Sequence, residues 1–337
     1  MPRLDAPVKA AVVGYGPFFN MGAHHAKQIN SVKGMEVVAV CDLDKKRLAA
    51  AKKDLGDGIR TYTDVRELAK DDEVQLAAVV VPHNAHCPVA LTLLKAGKHV
   101  VVEKPFAVTI NECDRMIDAA KEAGVSLSVY HNRRGDGDFI TLKQLIHEQG
   151  WIGDVFHLEA CAGGYEKPAK WWRSDKEISG GAFYDWGAHF VDWVLNLMPG
   201  KMKTVSGQFQ ESPVWKHVTN EDHCEAFIKF DTGAVAHVQL SSIQAAPKPQ
   251  WYVLGTQGAI VEAGGKFTIY TRVKGATARL DVGYLGGSCT YYEQLADHLL
   301  KDAPNPVTPE SARRVIAVIE LAEKSSRTGQ EQKVPHE

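Results

Sequence analysis

The chain has 337 residues, 45% of them hydrophobic and 24% charged, with 39 Lys and Arg against 41 Asp and Glu and a formal net charge of -2. This length predicts two domains that each bury a core without disulfides or a structural metal. Interleaved charges of both signs exclude a basic nucleic-acid surface. The lack of a long apolar run or a signal-peptide core predicts no membrane span and a cytoplasmic location.

The first 131 residues alternate short apolar runs with amphipathic segments. Strands are predicted at 8–13, 35–41, 77–81, 99–102 and 126–130, and helices at 44–55, 88–96 and 110–123. The last helix has Thr109 as its N-cap, Glu112 three residues later and Gly124 at its end. This alternation is typical of a parallel sheet with helices on both faces, so residues 1–131 are predicted to form a nucleotide-binding α/β domain.

The pattern changes after residue 131. A helix at 139–149 is followed by predicted strands at 155–161, 204–209, 224–230, 235–241, 252–255 and 266–271, and helices at 291–301 and 309–326 end the chain. Strands that follow one another with short turns, such as Asp231-Thr232-Gly233, indicate a mainly antiparallel sheet. Residues 132–337 are therefore predicted to form a second, α+β domain.

The first predicted strand runs into Gly14-Tyr15-Gly16-Pro17-Phe18-Phe19-Asn20-Met21-Gly22 and then into a helix. Two glycines match the dinucleotide fingerprint G-x-G-x-x-G, but Phe19 takes the place of the third. If the loop carries an insertion, Gly22 is that third glycine, and Asp42 follows at about the usual distance for the acid that binds the adenosine ribose. A carboxylate there repels a 2′-phosphate, which favours NAD over NADP. The alternative is a glycine-rich turn without a ligand.

Polar residues follow two neighbouring strands of this half. Val81-Pro82-His83-Asn84-Ala85-His86 comes after one strand and Glu103-Lys104-Pro105 after the next. Ligands of open α/β sheets collect at such strand ends. Packing poorly explains a lysine that leaves a buried strand beside a glutamate, although a solvated charge pair is the alternative. His83 and His86 have no third ligand in register, so no metal site is expected.

In the second half, Ser179-Gly180-Gly181 precedes a predicted helix that contains Asp185 and His189. Their spacing of four places both side chains on one helical face. An imidazole oriented by a carboxylate is suited to proton transfer near neutral pH, and the alternative is a structural contact.

Together these motifs, with Pro306-Val307-Thr308-Pro309-Glu310 near the end, resemble the Gfo/Idh/MocA family, named for glucose-fructose oxidoreductase and inositol dehydrogenase. The resemblance extends over essentially the whole chain. It implies an NAD(P)-dependent oxidoreductase that acts on hydroxyl groups of sugars, cyclitols and related polyols. It also implies a Rossmann domain followed by a domain whose large open sheet commonly forms a homodimer or homotetramer. The lengthened loop at Phe18, Phe19 and Asn20 departs from the family pattern.

The resemblance implies that Lys104 is the catalytic lysine and that Asp185 and His189 handle the substrate proton. Cofactor contacts are expected from Gly14, Tyr15, Gly16, Phe18, Phe19, Asn20, Met21, Asp42, Val81, Pro82, Asn84, His86, Glu103 and Lys104. Substrate contacts are expected from Lys104, Arg134, Tyr165, Trp172, Arg173, Asp185 and His189. Trp171, Trp186, Trp172 and Tyr165 offer flat aromatic surfaces for the apolar faces of a sugar ring, although tryptophans also fill cores and subunit interfaces.

The predicted reaction transfers hydride from a secondary alcohol to the nicotinamide while the hydroxyl proton leaves. His189 is the expected base, Asp185 orients it, and Lys104 either stabilises negative charge on the substrate oxygen or shares in the proton relay. One alternative is a redox-neutral glycosidase that oxidises a sugar transiently and recycles its NAD. A second is an NAD-binding regulator without activity, against which the presence of Lys104, Asp185 and His189 argues.

Overall fold

The computed structural model describes residues 3–17, 19–211, 213–335 and 337. The chain forms two compact units. The first unit consists of Met1–His131 with Thr290–Arg313, and the second of Asn132–Cys289 with Arg314–Glu337. No helix in the described part of the chain is long and apolar enough to cross a membrane.

The first unit is a parallel sheet with intervening helices. Its elements before residue 132 are β1 Val8–Val13, α1 Met21–Ser31, β2 Met35–Cys41, α2 Lys45–Leu55, β3 Arg60–Tyr62, α3 Val65–Ala69, β4 Leu76–Val79, α4 His86–Lys95, β5 His99–Glu103, α5 Ile110–Ala123 and β6 Leu127–Tyr130. The six strands are parallel in the order β3-β2-β1-β4-β5-β6. This is the Rossmann order, in which ligands bind beyond the carboxyl ends of the strands where the order reverses, between β1 and β4. The predicted parallel sheet is confirmed.

The caps of α5 are among the local features that the sequence predicts. The Thr109 hydroxyl accepts the Glu112 N–H at 3.2 Å, and Gly124 ends the helix with φ of 67°. The Glu112 carboxylate accepts the N–H of Val108 at 3.1 Å, one residue earlier than in a standard capping box. These contacts satisfy backbone groups that a helix end leaves without partners.

The second unit is built on a large open sheet. Its elements up to residue 289 are α6 Gly137–His147, β7 Val155–Gly163, α7 Lys176–Ser179, α8 Trp186–Leu197, β8 Met202–Gln210, β9 His223–Phe230, β10 Val235–Ser241, β11 Trp251–Gly255, β12 Gly258–Glu262, β13 Lys266–Val273 and β14 Ala276–Gly283. The chain ends with α9 Tyr291–Lys301, α10 Pro309–Thr328 and β15 Gln332–Lys333. The strand order is β14-β13-β12-β11-β7-β10-β9-β8-β15, and the described pairs are antiparallel except β7 with β10.

The structure differs from the sequence-based expectation in several short elements and in one domain boundary. The elements that were not predicted are β3, β12, β14, β15, α3 and α7. β3 and β15 are too short to show a periodic pattern, and β14 is largely exposed and lacks the apolar alternation of a half-buried strand. Thr290–Arg313, expected in the second domain, belongs to the first unit. The hydroxyl of Tyr291 donates to Ser128 Oγ at 2.7 Å, and Ser128 Oγ donates to the Val307 carbonyl at 3.0 Å. These hydrogen bonds hold the segment Thr290–Arg313 against β6.

Candidate active site

Three glycines shape the loop between β1 and α1. Gly14 has φ of 99°, and a Cβ there would lie 2.0 Å from the carbonyl oxygen of Val80. A Cβ at Gly22 would lie 2.3 Å from the carbonyl oxygen of Gly14. Gly22 therefore permits the close helix–strand packing expected of the third fingerprint glycine, as the insertion hypothesis requires. A Cβ at Gly16 would meet no atom of the described residues within 4 Å, which leaves room for a ligand beside that backbone.

The inserted residues adopt an unusual backbone conformation. Phe19 and Asn20 have φ of 55° and 48°, a left-handed region that non-glycine residues rarely occupy. The Phe19 side chain is 67% exposed, and α1 starts directly afterwards at Met21. Phe18, another predicted cofactor contact, lies outside the described residues. The first-turn N–H groups of a helix lack intrahelical partners, so this start can receive a pyrophosphate.

Asp42 lies against this loop. Its Oδ2 accepts the Tyr15 N–H at 2.6 Å and its Oδ1 accepts the Asp44 N–H at 2.9 Å. The carboxylate is thus held at the carboxyl end of β2, where the fold binds an adenosine ribose. The Tyr15 hydroxyl donates to Asp54 at 3.1 Å, and burial together with this bond raises the pKa of Tyr15 to about 12. The Asp42 carboxylate can accept hydrogen bonds from ribose hydroxyls, and the backbone at Gly16 has room for a pyrophosphate. Both features fit an NAD molecule.

The strand ends of β4 and β5 are tied together by His86. Its imidazole is fully buried, with Nδ1 at 2.8 Å from the carbonyl oxygen of Pro105 and Nε2 at 2.9 Å from that of Val81. Burial lowers the pKa of His86. Both ring nitrogens lie within hydrogen-bond distance of backbone carbonyl oxygens, so His86 connects the two strand ends from within the protein, and its cofactor contact stays a prediction. Pro82 and Asn84, which are exposed, remain predicted contacts.

Glu103 is the last residue of β5 and Lys104 follows it directly, and the bond from Lys104 to Pro105 is cis. Glu103 Oε2 accepts the Lys104 N–H at 2.8 Å, and its Oε1 lies 3.0 Å from Nε2 of His25. Burial opposes ionisation of Glu103, but the bond to His25 and the positive charge of Lys104 outweigh it and hold the pKa below its ordinary value. The Glu103 side chain is only 12% exposed, so it holds the backbone of Lys104 from the buried side.

Sequence reasoning missed His25. The residue lies on α1, fully buried against the sheet, next to the exposed His24. The only signal was a histidine on the helix face that packs inward. A buried histidine needs hydrogen-bond partners, and here they come from distant segments of the chain.

In the second unit, α8 begins at Trp186, so Asp185 occupies the N-cap position rather than the helix itself. Its Oδ1 accepts a hydrogen bond from Nη1 of Arg173 at 2.9 Å. His189 is buried one turn into α8, with its ring centroid 5.7 Å from that of Trp186. The structure therefore adds Arg173 to the predicted Asp185 and His189 pair, as the cation that faces Asp185.

A cavity of about 280 Å³ opens beside these residues. It is lined by Pro168, Ala169, Trp171, Arg173, Ser174, Ala182, Asp185, Trp186, Val218, Asn220, Glu221, Asp222, Leu240, Ser241 and Ser242. The guanidinium of Arg173 lies over Trp171, 5.4 Å from the ring centroid. Sequence reasoning missed the polar run Asn220-Glu221-Asp222, whose position directly before a strand could have indicated it. The cavity combines aromatic planes with carboxylates and one guanidinium.

Five predicted substrate residues are not part of that lining: Lys104, Arg134, Tyr165, Trp172 and His189. Arg134 forms a two-point ion pair with Asp192 on α8, with Nε donating to Oδ2 at 2.8 Å. This pair gives Arg134 a structural partner, and its role as a substrate contact stays a prediction. Tyr165 is exposed, with its ring centroid 5.6 Å from that of Trp215. Trp172 lies under the guanidinium of Arg173, 5.1 Å from the ring centroid.

Within the described ranges, no three His, Cys, Asp or Glu side chains are grouped so as to hold a metal ion. The rings of His83 and His86 lie 5.7 Å apart between centroids.

Comparisons with known proteins match both halves of the chain to the same family. The family model described as "Oxidoreductase family, NAD-binding Rossmann fold" matches residues 8–131, and the GFO/IDH/MocA C-terminal domain matches residues 139–261. The oxidoreductase YdgJ of Escherichia coli is 27% identical over 95% of this chain and 96% of its own length. The scyllo-inositol 2-dehydrogenase (NADP(+)) IolW of Bacillus subtilis is 28% identical over 95% of this chain and 94% of its own.

Among solved structures, the oxidoreductase YvaA of Bacillus subtilis superimposes with a TM-score of 0.88 at 25% identity, covering 99% of this chain and 100% of YvaA. The family models match both halves of the chain in order. The resemblance inferred from the motifs is thereby confirmed, and the chain belongs to the Gfo/Idh/MocA family of oxidoreductases with an NAD-binding Rossmann domain.

Proposed function

We propose that this protein oxidises a secondary hydroxyl of a sugar, cyclitol or related polyol with NAD. The observation that carries the proposal is the cavity of the second unit, where Trp171 and Trp186 stand beside Asp185 and Arg173. A polyol ring has apolar C–H faces and a hydroxyl edge, which match aromatic planes and charged hydrogen-bonding groups. The relative IolW is by name an inositol dehydrogenase, which supports the same substrate class.

The first unit would hold the cofactor through the backbone at Gly14 and Gly16, the start of α1, and Asp42 at the ribose. When bound, the nicotinamide supplies the hydride acceptor. Asp42 presents a carboxylate to the ribose position, so the preferred cofactor is NAD although IolW is named for NADP(+). Asn84 and Pro82 remain candidates for the nicotinamide side.

Three side chains carry the proposed chemistry. His189 accepts the proton of the reacting hydroxyl. Asp185, whose Oδ1 accepts a hydrogen bond from Arg173 at 2.9 Å, orients His189, which lies one turn further along the chain. Lys104 donates a hydrogen bond to the substrate oxygen as negative charge develops on it.

The test is NADH formation with a panel of aldoses, inositols and glycosides, repeated with NADP+, for the wild type and Lys104→Ala. Loss of a hydrogen-bond donor to a developing anion is expected to lower kcat about 10²- to 10³-fold while NAD+ binding is kept. Lys95→Ala, at the exposed end of α4, is the matched control and should retain wild-type turnover. Undiminished activity of Lys104→Ala would remove its role, and sugar release from a glycoside without net NADH would identify the redox-neutral alternative.

A further inference from the structure

A hydrogen-bonded chain lies behind Lys104 in the first unit. His25 Nδ1 is 2.6 Å from the hydroxyl of Tyr292 on α9, and its Nε2 is 3.0 Å from Oε1 of Glu103. Glu103 Oε2 accepts the backbone N–H of Lys104 at 2.8 Å. The imidazole of His25 is fully buried, so these contacts are shielded from water.

The chemistry of Glu103 fixes the direction of one of these bonds. The pKa of Glu103 is held below its ordinary value, and an ionised carboxylate only accepts, so His25 Nε2 donates to Glu103 Oε1. The other ring nitrogen of His25 is hydrogen-bonded to the Tyr292 hydroxyl. Tyr292, His25 and Glu103 therefore form a continuous hydrogen-bonded series that ends at the backbone of Lys104.

His25 also connects this series to the cofactor loop. It is on α1, the helix that follows the loop at Gly14 to Gly22. The ring of Tyr130 lies 4.3 Å from that of His25 between centroids, and the Tyr130 hydroxyl donates to Gln28 on the same helix. α1 is thus held to β6 and α9 by side chains around His25, and a shift of its first turn would reach Glu103 through one hydrogen bond.

We infer that His25 is a positioning residue that couples occupation of the dinucleotide loop to the placement of Lys104. This inference rests on the proposed function for the role of Lys104 in the reaction. It predicts that His25 matters for the chemical step more than for substrate binding, because a misplaced catalytic group lowers the rate of the bound complex.

The kinetic test compares His25→Gln with His24→Gln, which removes an exposed histidine from the neighbouring position. His25→Gln should lower kcat about 10- to 100-fold with little change in substrate KM, and His24→Gln should not. In a Lys104→Ala background, His25→Gln should cause no further loss, since coupled residues are not additive. Equal losses with and without Lys104 would overturn the coupling.

A second readout does not depend on turnover. In protein labelled with 15N-lysine, the Lys104 amide signal is assigned by its disappearance in Lys104→Arg. NAD+ should move this signal in the wild type and in His24→Gln, and the shift should be lost in His25→Gln. Tyr292→Phe removes a single hydroxyl and should reduce the shift of the Lys104 amide signal. It replaces His25→Gln in this test if His25→Gln does not fold.

The two readouts separate the inference from the proposed function. If no polyol is turned over but the amide responds as expected, the coupling stands and the proposed substrate class fails. If the amide responds to NAD+ equally in His25→Gln, the coupling is refuted even in an active enzyme.

Discussion

His99, at the start of β5, is a buried histidine outside the proposed catalytic set. Its Nδ1 accepts the N–H of Ser126 at 3.0 Å, which requires an unprotonated nitrogen. Burial, with a smaller contribution from the nearby His298, lowers the pKa of His99 to about 4. The folded protein therefore resists protonation at this position far more than the unfolded chain does.

This difference predicts acid sensitivity. The unfolded histidine takes up a proton near pH 6.5, so the stabilisation is complete above that pH and is lost as the pH falls from about 6.5 to 4, up to about 3 kcal/mol. Melting curves between pH 7 and pH 4 should show a shallower fall in Tm for His99→Asn than for the wild type. His147→Asn, which removes an exposed histidine, should keep the wild-type slope; identical slopes for all three proteins would contradict the assignment.

Residue types alone did not show which protein groups the candidate site residues contact. Arg134 and His86 have the chemistry of ligand-binding residues, yet the fold gives them Asp192 and two backbone carbonyls as partners. His25 has no motif, yet it contacts Glu103. Arg134 and Asp192 are 58 residues apart and His25 and Glu103 are 78 residues apart, so residue spacing carries no information about these two contacts.

At the scale of elements, the loop from β1 to α1 shows two different uses of glycine. Gly22 is required by protein packing, since its Cβ would lie 2.3 Å from Gly14 O. At Gly16, a Cβ would have no atom of the described part of the chain within 4 Å, and the φ of Gly16 is not in the left-handed region. A side chain at Gly16 is therefore expected to disturb a bound ligand rather than the packing of the described residues.

The matched substitutions Gly16→Ala and Gly22→Ala test whether Gly16 is needed for ligand binding and Gly22 for packing. Gly16→Ala should keep the wild-type Tm within about 1 °C and weaken NADH binding at least about 10-fold, because the methyl group meets the pyrophosphate. Gly22→Ala should lower the Tm by several degrees, as overpacking costs about 1–3 kcal/mol. Thermal melts and NADH fluorescence titrations measure both effects, and unchanged NADH affinity in Gly16→Ala would place the pyrophosphate elsewhere.

At the scale of the whole molecule, one face of the nine-stranded sheet carries a row of side chains that runs across neighbouring strands. The register places Phe227, His237, Glu159, Tyr252 and Val261 side by side on neighbouring strands. Phe227 is 43% exposed and its ring stacks on His237 at 4.2 Å between centroids. We propose that this face joins copies of the chain into a homodimer or homotetramer, because apolar groups exposed on an open sheet favour association.

Phe227→Glu should shift the native mass measured by light scattering toward the monomer at micromolar concentration, since a charge replaces an apolar contact. Val273→Glu is the control, because Val273 is 55% exposed on β13 but on the opposite side of the sheet from Phe227. A mass that both variants leave unchanged would exclude this face as the interface.

The sequence by itself determined the two-domain α/β organisation, the parallel sheet, the helix caps and the family, because apolar periodicity, capping residues and motifs are local signals. It also singled out Asp42, Lys104, Asp185 and His189 as candidate site residues, since each follows a strand or lies at a helix start. Only the tertiary structure decided that Thr290–Arg313 joins the first unit, that Arg173 pairs with Asp185, and that His25 supports Glu103. None of these contacts follows from the local pattern of a single helix or strand, and tertiary packing selects them.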